Sequence, residues 1–339
     1  MGFIDSRDNR GIKLMGAGLV GILFAVPVAT FLWMTSVPGH SYSGQLPLPT
    51  AAQATLANML RADVQAIASQ PHNMRHPRAL EKAAIHIERS LAMAGYKVQR
   101  HPFVVGRSTV RNIEVTIDPV RPDAETLVVG AHYDSAGDAP GANDNGTGSA
   151  ALLALARKLA PLQGKAQLRL RFVFFVNEEP PHFQTPSMGS VVYARALRQS
   201  AEKVRGMISL ETIGYYSDRA GSQHYPPPLG MRYPGTGNFV AFVGTISSRG
   251  FVRRTVAAFR DVASFPSVGG SAPGFIQGIS WSDHWSFAEE GFPALMVTDT
   301  APFRYPYYHT AEDTPDKVDY SRLALVVTGL EQMIYRWAT

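Results

Sequence analysis

Five short clusters in this chain carry side chains whose types and spacing could do chemistry. They are His132-Tyr133-Asp134, Gly141-Ala142-Asn143-Asp144-Asn145-Gly146-Thr147-Gly148, Asn177-Glu178-Glu179, Glu211-Thr212-Ile213-Gly214 and Tyr305-Pro306-Tyr307-Tyr308-His309-Thr310. Each has an ordinary reading on its own. A histidine at a strand end is usually a surface group, paired glutamates often open a helix, and Asp-Asn-Gly is a common turn. Together they place two histidines and several carboxylates at the ends of segments that otherwise bury apolar side chains. Carboxylates crowded in that way repel one another and are costly to desolvate. One divalent cation, or two, removes that cost. The chain has no cysteine, so disulfides, thiolate nucleophiles, iron–sulfur clusters and cysteine zinc sites are all excluded. A donor set of imidazole and carboxylate suits zinc, and also suits manganese or cobalt.

The same residues suggest a division of labour. Asp134, two residues after His132, is placed to orient that imidazole. Of the neighbours Glu178 and Glu179, one can ligate a metal while the other takes a proton from metal-activated water. Gly141, Gly146 and Gly148 let the backbone bend sharply around Asp144. His182 lies in the rigid segment Pro180-Pro181-His182-Phe183-Gln184-Thr185 and is a weaker choice of ligand. That segment either shapes a pocket or simply turns the chain.

The elements that must position these groups alternate. Apolar or alternating runs predict strands over Lys97–Val105, Val110–Ile117, Thr126–Ala131, Leu168–Val176, Met207–Leu210, Phe239–Gly244 and Ala294–Val297. Amphipathic or Ala/Leu-rich stretches predict helices over Ala51–Ser69, Arg78–Met93, Gly148–Leu159, Gly189–Arg198, Val252–Phe259 and Ser321–Trp337. Strands alternating with helices indicate an α/β domain with a mostly parallel central sheet covered by helices on both faces. In such sheets ligands bind beyond the carboxyl ends of the strands, where the clusters fall. The Pro-, Gly- and Tyr-rich stretch from Tyr216 to Asn238 reads as a long surface loop, and such loops often carry function.

The amino terminus reads as a separate object. No charged residue occurs from Leu14 to Val37, a run long enough for a membrane helix, which takes about 20 residues. Arg7, Arg10 and Lys13 precede it and the next basic residue is Arg61. The expectation is a cytoplasmic tail at 1–13, an uncleaved transmembrane signal anchor at 14–37, a tether at 38–50 and a catalytic domain at 51–339 on the extracytoplasmic side. The formal charge of +5 comes from 32 Lys and Arg against 27 Asp and Glu. The basic residues are scattered, with no long basic run, so nucleic acid is not expected as a partner. The sequence leaves the oligomeric state open.

The five clusters, in this order and spacing from Thr126 to Tyr320, resemble the motif series of the two-zinc aminopeptidases related to glutamate carboxypeptidase. The resemblance implies a phosphorylase/hydrolase-like α/β fold and two zinc ions. It implies that His132 and Glu211 hold one zinc, Glu179 and His309 the other, and that Asp144 bridges them. Glu178 would be the general base that takes a proton from a metal-bridging water to give the attacking hydroxide, Asp134 the group behind His132, and Tyr308 a donor to the oxyanion. Peptides would be the substrates. Glu211 stands where many members have Asp, and Ser282-Asp283-His284 resembles a further segment near the site, although it also reads as a helix N-cap. A glutaminyl cyclase-like acyltransferase and a non-catalytic binding protein of the same fold are the alternatives.

Overall fold

The computed structural model of the protein describes residues 25–200 and 202–339. The expected tail and the first part of the expected membrane span therefore lie outside the described residues. Helix α1 is described over residues 25–35. Among the described residues no helix is long and apolar enough to cross a membrane. The chain divides into two units, one ending at Ser36 and a larger body from Val37 to Thr339 that carries all five clusters.

Two helices open the body. Helix α2 (Ala51–Ile67) starts in a capping box, in which the Thr50 hydroxyl accepts from the Gln53 N–H and the Gln53 side chain accepts from the Thr50 N–H. Helix α3 (Pro77–Met93) starts with proline at its first position, where no N–H is needed. The stretch expected to be a tether is tied down locally. The Pro38 and Gly39 carbonyls accept from Arg260, and the Ser41 hydroxyl accepts from the Ser267 N–H.

The sheet has eight strands: β1 (Gln99–Val105), β2 (Ser108–Ile117), β3 (Thr126–His132), β4 (Arg169–Phe175), β5 (Val204–Glu211), β6 (Val240–Thr245), β7 (Ser267–Ala272) and β8 (Ala294–Thr298). Their spatial order is β1-β2-β4-β3-β5-β8-β6-β7. The four central strands β4, β3, β5 and β8 are parallel neighbours, as are β6 and β7. The pairs β1–β2, β2–β4 and β6–β8 are antiparallel, so the sheet is mixed, with its centre parallel as expected and antiparallel pairings toward its edges. One cause is local. Only Gly106 and Arg107 separate β1 from β2, and a link that short can join only antiparallel strands.

Alternation along the central strands feeds two cores. Leu127, Val129 and Ala131 of β3 and Leu170, Phe172 and Phe174 of β4 point into the larger one. It is shared by α2, α3, α4 (Gly148–Leu159), α6 (Arg249–Arg260) and α8 (Tyr320–Ala338). Val128, Val173 and Phe175 point into the other, under α5 (Gly189–Gln199) and α7 (His284–Glu289). Burial on both faces is why these strands read as continuous apolar runs. Strand β7 has no counterpart among the predicted strands, because Ser-Val-Gly-Gly-Ser-Ala lacks bulk. It is one of the two edge strands, and its small residues let α6 approach: a Cβ on Gly269 would lie 2.6 Å from Val256 Cγ2. Strand β5 begins at Val204, earlier than its apolar run suggests.

Candidate metal centre

The carboxyl ends of β3, β4 and β5 converge on one buried cluster. His132 is the last residue of β3, and its carbonyl accepts from the Ser149 hydroxyl in the first turn of α4. Asp144 sits in the wide turn Ala142–Thr147 just before α4. Glu178 and Glu179 follow β4, and Glu211 ends β5. His309 arrives from the loop after β8, and about a third of its side chain is exposed, while the other positions are buried.

The distances define the centre. One oxygen of Asp144, Oδ1, is 3.4 Å from His132 Nε2, and the other, Oδ2, is 3.0 Å from His309 Nε2. Glu211 Oε2 is also 3.4 Å from His132 Nε2, and Glu179 Oε2 is 3.2 Å from His309 Nε2. Two donor triads result, His132–Asp144–Glu211 and Asp144–Glu179–His309, with Asp144 common to both. A third grouping joins His132, Glu178 and Glu179. Glu178 Oε2 is 3.9 Å from His132 Nε2 and stands outside the two triads that share Asp144.

The residues fit a metal on their own chemistry. His132 Nε2, Asp144 Oδ1 and Glu179 Oε1 are buried and have no hydrogen-bond partner. Buried polar atoms are nearly always paired, so three unpartnered donor atoms in one cluster fit a bound cation. Titration agrees. Burial would suppress the His132 charge, but the surrounding carboxylates of Glu211, Glu178, Asp134 and Asp144 outweigh it and raise its pKa well above the ordinary value. Burial also opposes charge on His309, yet its bonds to Asp144 and Glu179 push it up to about 11. Burial, helped by Asp144, pushes Glu179 up to about 7. Burial likewise raises Glu211 and takes Glu178 well above the carboxylate range, with Glu211, Glu179 and Asp283 adding to the effect on Glu178. Asp144 runs the other way, because the two imidazoles overcome its burial. Every one of these shifts expresses a demand for positive charge among the carboxylates.

The supporting contacts refine the sequence reading. The Asp134 backbone carbonyl is 3.1 Å from His132 Nδ1, while its carboxylate is 3.6 Å away. That carboxylate accepts instead from the N–H groups of Glu178, at 3.1 Å, and Glu179, at 3.3 Å. Asp134 therefore braces the glutamate pair as well as the imidazole. The Tyr308 ring stacks on His309, with centroids 3.9 Å apart. Burial and the carboxylates of Asp144, Glu179, Glu211 and Glu178 raise its pKa far above the ordinary phenol, so the hydroxyl stays protonated. His182 joins none of the donor groups among the described residues.

Four residues around this centre have left-handed backbone though they are not glycine: Asn177, Thr212, Thr300 and His309, with φ of 62°, 44°, 64° and 59°. Three are residues of the cluster or their immediate neighbours, where backbone strain commonly collects. Gly141 (φ 74°) is needed for another reason, since a Cβ there would lie 2.6 Å from the Asp144 carbonyl oxygen.

Sequence reasoning missed two supports, Asp313 and Asp299, while the Ser282-Asp283-His284 segment that it named near the site does reach Glu211. Asp313 accepts from the N–H groups of Asn143 and Asp144 and from the Tyr305 hydroxyl. Asp299 accepts from the Asn143 amide and from the N–H groups of Gly214 and Tyr215. Ser282 donates to Glu211 Oε2 at 2.8 Å. Asp283 occupies the N-cap position of α7 yet makes no side-chain cap bond. Both of its oxygens are buried, and burial raises its pKa to about 7. In sequence, Asp313 is one acid in a polar turn, Glu312-Asp313-Thr314-Pro315, and nothing local sets it apart.

The fold and the cluster together define a metallopeptidase of the α/β type. The model of Peptidase family M28 matches residues 112–332, and the chain belongs to that family. The chain is 33% identical over 334 residues to the uncharacterized protein YfbL of Escherichia coli, a match spanning 95% of this chain and 98% of that one. It is 28% identical over 213 residues to the probable leucine aminopeptidase 1 of Trichophyton verrucosum, spanning 59% of this chain but only 51% of that relative. Among solved structures it is similar to BSAP, a zinc aminopeptidase from Bacillus subtilis, with a TM-score of 0.65, 15% identity, and coverage of 87% of this chain and 97% of that one. It is also similar to Fimbriiglobus ruber glutaminyl cyclase, with a TM-score of 0.59, 20% identity, and coverage of 88% and 99%. At such identities the two solved structures speak to the fold.

Proposed function

We propose that the chain is an aminopeptidase that uses two zinc ions to release N-terminal residues from peptides. One observation carries this reading: the two oxygens of Asp144 face two different histidines, each completing its own triad with a glutamate. His132, Asp144 and Glu211 would hold one ion, and Asp144, Glu179 and His309 the other. Manganese or cobalt would suit the same donors. When bound, the ions supply Lewis acidity, which lowers the pKa of water and polarises a carbonyl.

The remaining work falls to this chain's own groups. Glu178, outside both triads and with its pKa pushed up by burial, takes a proton from the attacking water. It then returns that proton to the leaving amine. Asp134 fixes the Glu178 backbone and so the direction of the base. The protonated Tyr308 hydroxyl donates to the developing oxyanion. The name of the Trichophyton relative supports leucine-like N-terminal residues as the first substrates to try.

The test is hydrolysis of leucine p-nitroanilide by chelator-stripped protein before and after zinc is restored. Activity that returns with zinc is the expected result, and none after zinc is restored overturns the reading. The glutaminyl cyclase-like alternative shares the fold, and an N-terminal glutaminyl peptide offered in parallel separates the two: cyclisation without hydrolysis favours the cyclase. A non-catalytic binding protein would retain bound zinc and perform neither reaction.

We also propose that residues 14–37 anchor the chain, with residues 1–13 in the cytoplasm and the catalytic body on the other side of the membrane. The uncharged run and Arg7, Arg10 and Lys13 before it support this topology. Fractionation of the full chain beside a chain starting at Pro38 tests it. Equal partition of both into the soluble fraction would sink it.

A further inference from the structure

The loop that delivers His309 also walls a second cavity. A cleft of about 700 Å³ is lined by Tyr215, Arg219, His224, Phe303, Arg304 and Tyr305, with small residues between them. Its volume is in the range of small-ligand sites. Its lining contains two arginines and a histidine and no Asp or Glu. Among the described residues neither Arg219 nor Arg304 forms an ion pair with a carboxylate, whereas Arg322 of the same neighbourhood pairs with both Asp218 and Asp319. Among the same residues the His224 ring has no hydrogen-bond partner, while its backbone N–H donates to the Phe303 carbonyl.

Arg304 is the informative residue. It is almost fully buried, at 7% exposure. Its Nε donates to Gln223 Oε1 at 2.7 Å and its Nη1 to the Phe239 carbonyl at 2.9 Å, while the guanidinium lies 4.4 Å from the Phe239 ring centroid. Its Nη2 is buried and has no partner. The carboxylate whose field it feels most, Asp299, commits one oxygen to Asn143, Gly214 and Tyr215 and forms no ion pair with it. A buried guanidinium held rigidly by two of its nitrogens fixes a positive charge behind the cleft wall, and Arg219 and His224 carry the exposed donors at the cleft surface.

The cleft is coupled to the metal centre through one wall. The Tyr305 ring packs against Tyr215, with centroids 4.8 Å apart, and its hydroxyl donates to Asp313 at 2.7 Å. Asp313 in turn accepts from the Asp144 N–H. His309 lies four residues beyond Tyr305 in the same loop. We propose that this cleft binds a carboxylate of the peptide substrate, making the enzyme selective for peptides that carry a negative charge. This rests on the aminopeptidase reading for the identity of the ligand, not for the existence of the site. The carboxylate has two sources, the peptide's C-terminus or an Asp or Glu side chain, and they share one chemistry.

Calorimetric binding to the full chain tests the proposal without turnover. The probe is N-acetyl-Gly-Glu, whose blocked amine prevents aminopeptidase cleavage, compared with the neutral N-acetyl-Gly-Gln amide. The diacid should bind about tenfold more tightly, the scale of one charge-assisted hydrogen bond. N-acetyl-Gly-Gln acid and N-acetyl-Gly-Glu amide then assign the preference to the terminal or the side-chain carboxylate. Arg219→Gln, at an exposed position, should erase most of the preference with no change in melting temperature, and Arg304→Lys should weaken it even where its fold is less stable. Equal binding of diacid and diamide overturns the proposal, as does a preference that survives combined Arg219→Gln and His224→Gln. A chain that cleaves no aminoacyl anilide but keeps the acid preference would sink the peptidase reading and leave the cleft standing.

Discussion

Asp313 holds Asp144 by its backbone and leaves the Asp144 carboxylate free for the histidines. The Asp313 carboxylate accepts from the Asp144 N–H at 3.1 Å and from the Asn143 N–H at 2.8 Å. Its own carbonyl accepts from the Ala142 N–H. Three consecutive amides are thereby pinned to one residue, and the turn they form aims each oxygen of Asp144 at a different imidazole.

Replacing Asp313 should therefore weaken metal binding without touching a ligand. In Asp313→Asn the amide NH2 faces N–H donors that need an acceptor, so one of them is left unpaired at a cost of about 1–3 kcal/mol. Loss of such a supporting contact typically costs roughly 10–100-fold in metal affinity. Zinc titration against a competing chelator measures it, and unchanged affinity would show that the turn holds itself.

Glu178→Gln separates base from ligand. The amide keeps the shape but cannot accept the proton, so turnover should fall by about 10²–10⁴-fold. Bound zinc should stay near its original content, because Glu178 lies outside the two triads that share Asp144. If activity persists, or zinc is lost with it, the assignment of Glu178 and Glu179 is reversed.

Metal uptake should release protons and weaken as pH falls. Without metal, the pKa of His309 stands at about 11 and that of His132 well above its ordinary value, so both are protonated near neutrality. Glu179, at about 7, is partly protonated there. Ligands must shed these protons to bind a cation. Zinc titrations at pH of about 7 in buffers of different ionisation enthalpy should show more than one proton released per chain. A heat independent of buffer would contradict the raised values.

Tyr308→Phe tests the oxyanion role. Removing one preorganised donor costs about 10²–10³-fold in kcat with little effect on KM. The stacking on His309 survives in phenylalanine, so zinc content should not move. A change in KM alone would assign Tyr308 to substrate packing instead.

How far the sequence can be read follows from what each residue depends on. Strands β3 and β4 are buried on both faces, so their apolar runs announce them. The strands at the sheet edges are harder, because their direction depends on link length and on packing against α6 rather than on composition. Strand β7 has no bulky periodicity at all. At the centre, residues that bear charge next to apolar runs stand out, while the braces do not. Asp313 and Asp299 act through contacts with segments roughly 160–170 residues away, which no local pattern encodes. Asp134 is visible as a neighbour of His132, but its grip on the Glu178 and Glu179 amides exists only once β3 and β4 lie side by side.

Asp63 of α2 should set part of the acid limb of stability. Its carboxylate binds Arg157 of α4 at 2.5 and 3.0 Å and His86 of α3 at 2.9 Å, tying three helices together. Burial alone would raise its pKa, but the bonds to His86 and Arg157 win and hold it below the ordinary carboxylate value. A group depressed in the folded state adds stability above its unfolded pKa of about 3.9, and that stability is lost as pH falls through the folded value. Glu88 and Glu114, also depressed, add to the same limb. Asp63→Asn should lower stability at neutral pH by about 1–3 kcal/mol, since Arg157 and His86 lose their charged partner. It should also make the fall in stability between about pH 5 and pH 3 shallower, because one of the linked protons is gone. Urea midpoints measured across that range for both proteins decide the matter: converging curves at low pH are expected, and parallel curves would mean that Asp63 contributes nothing pH-dependent.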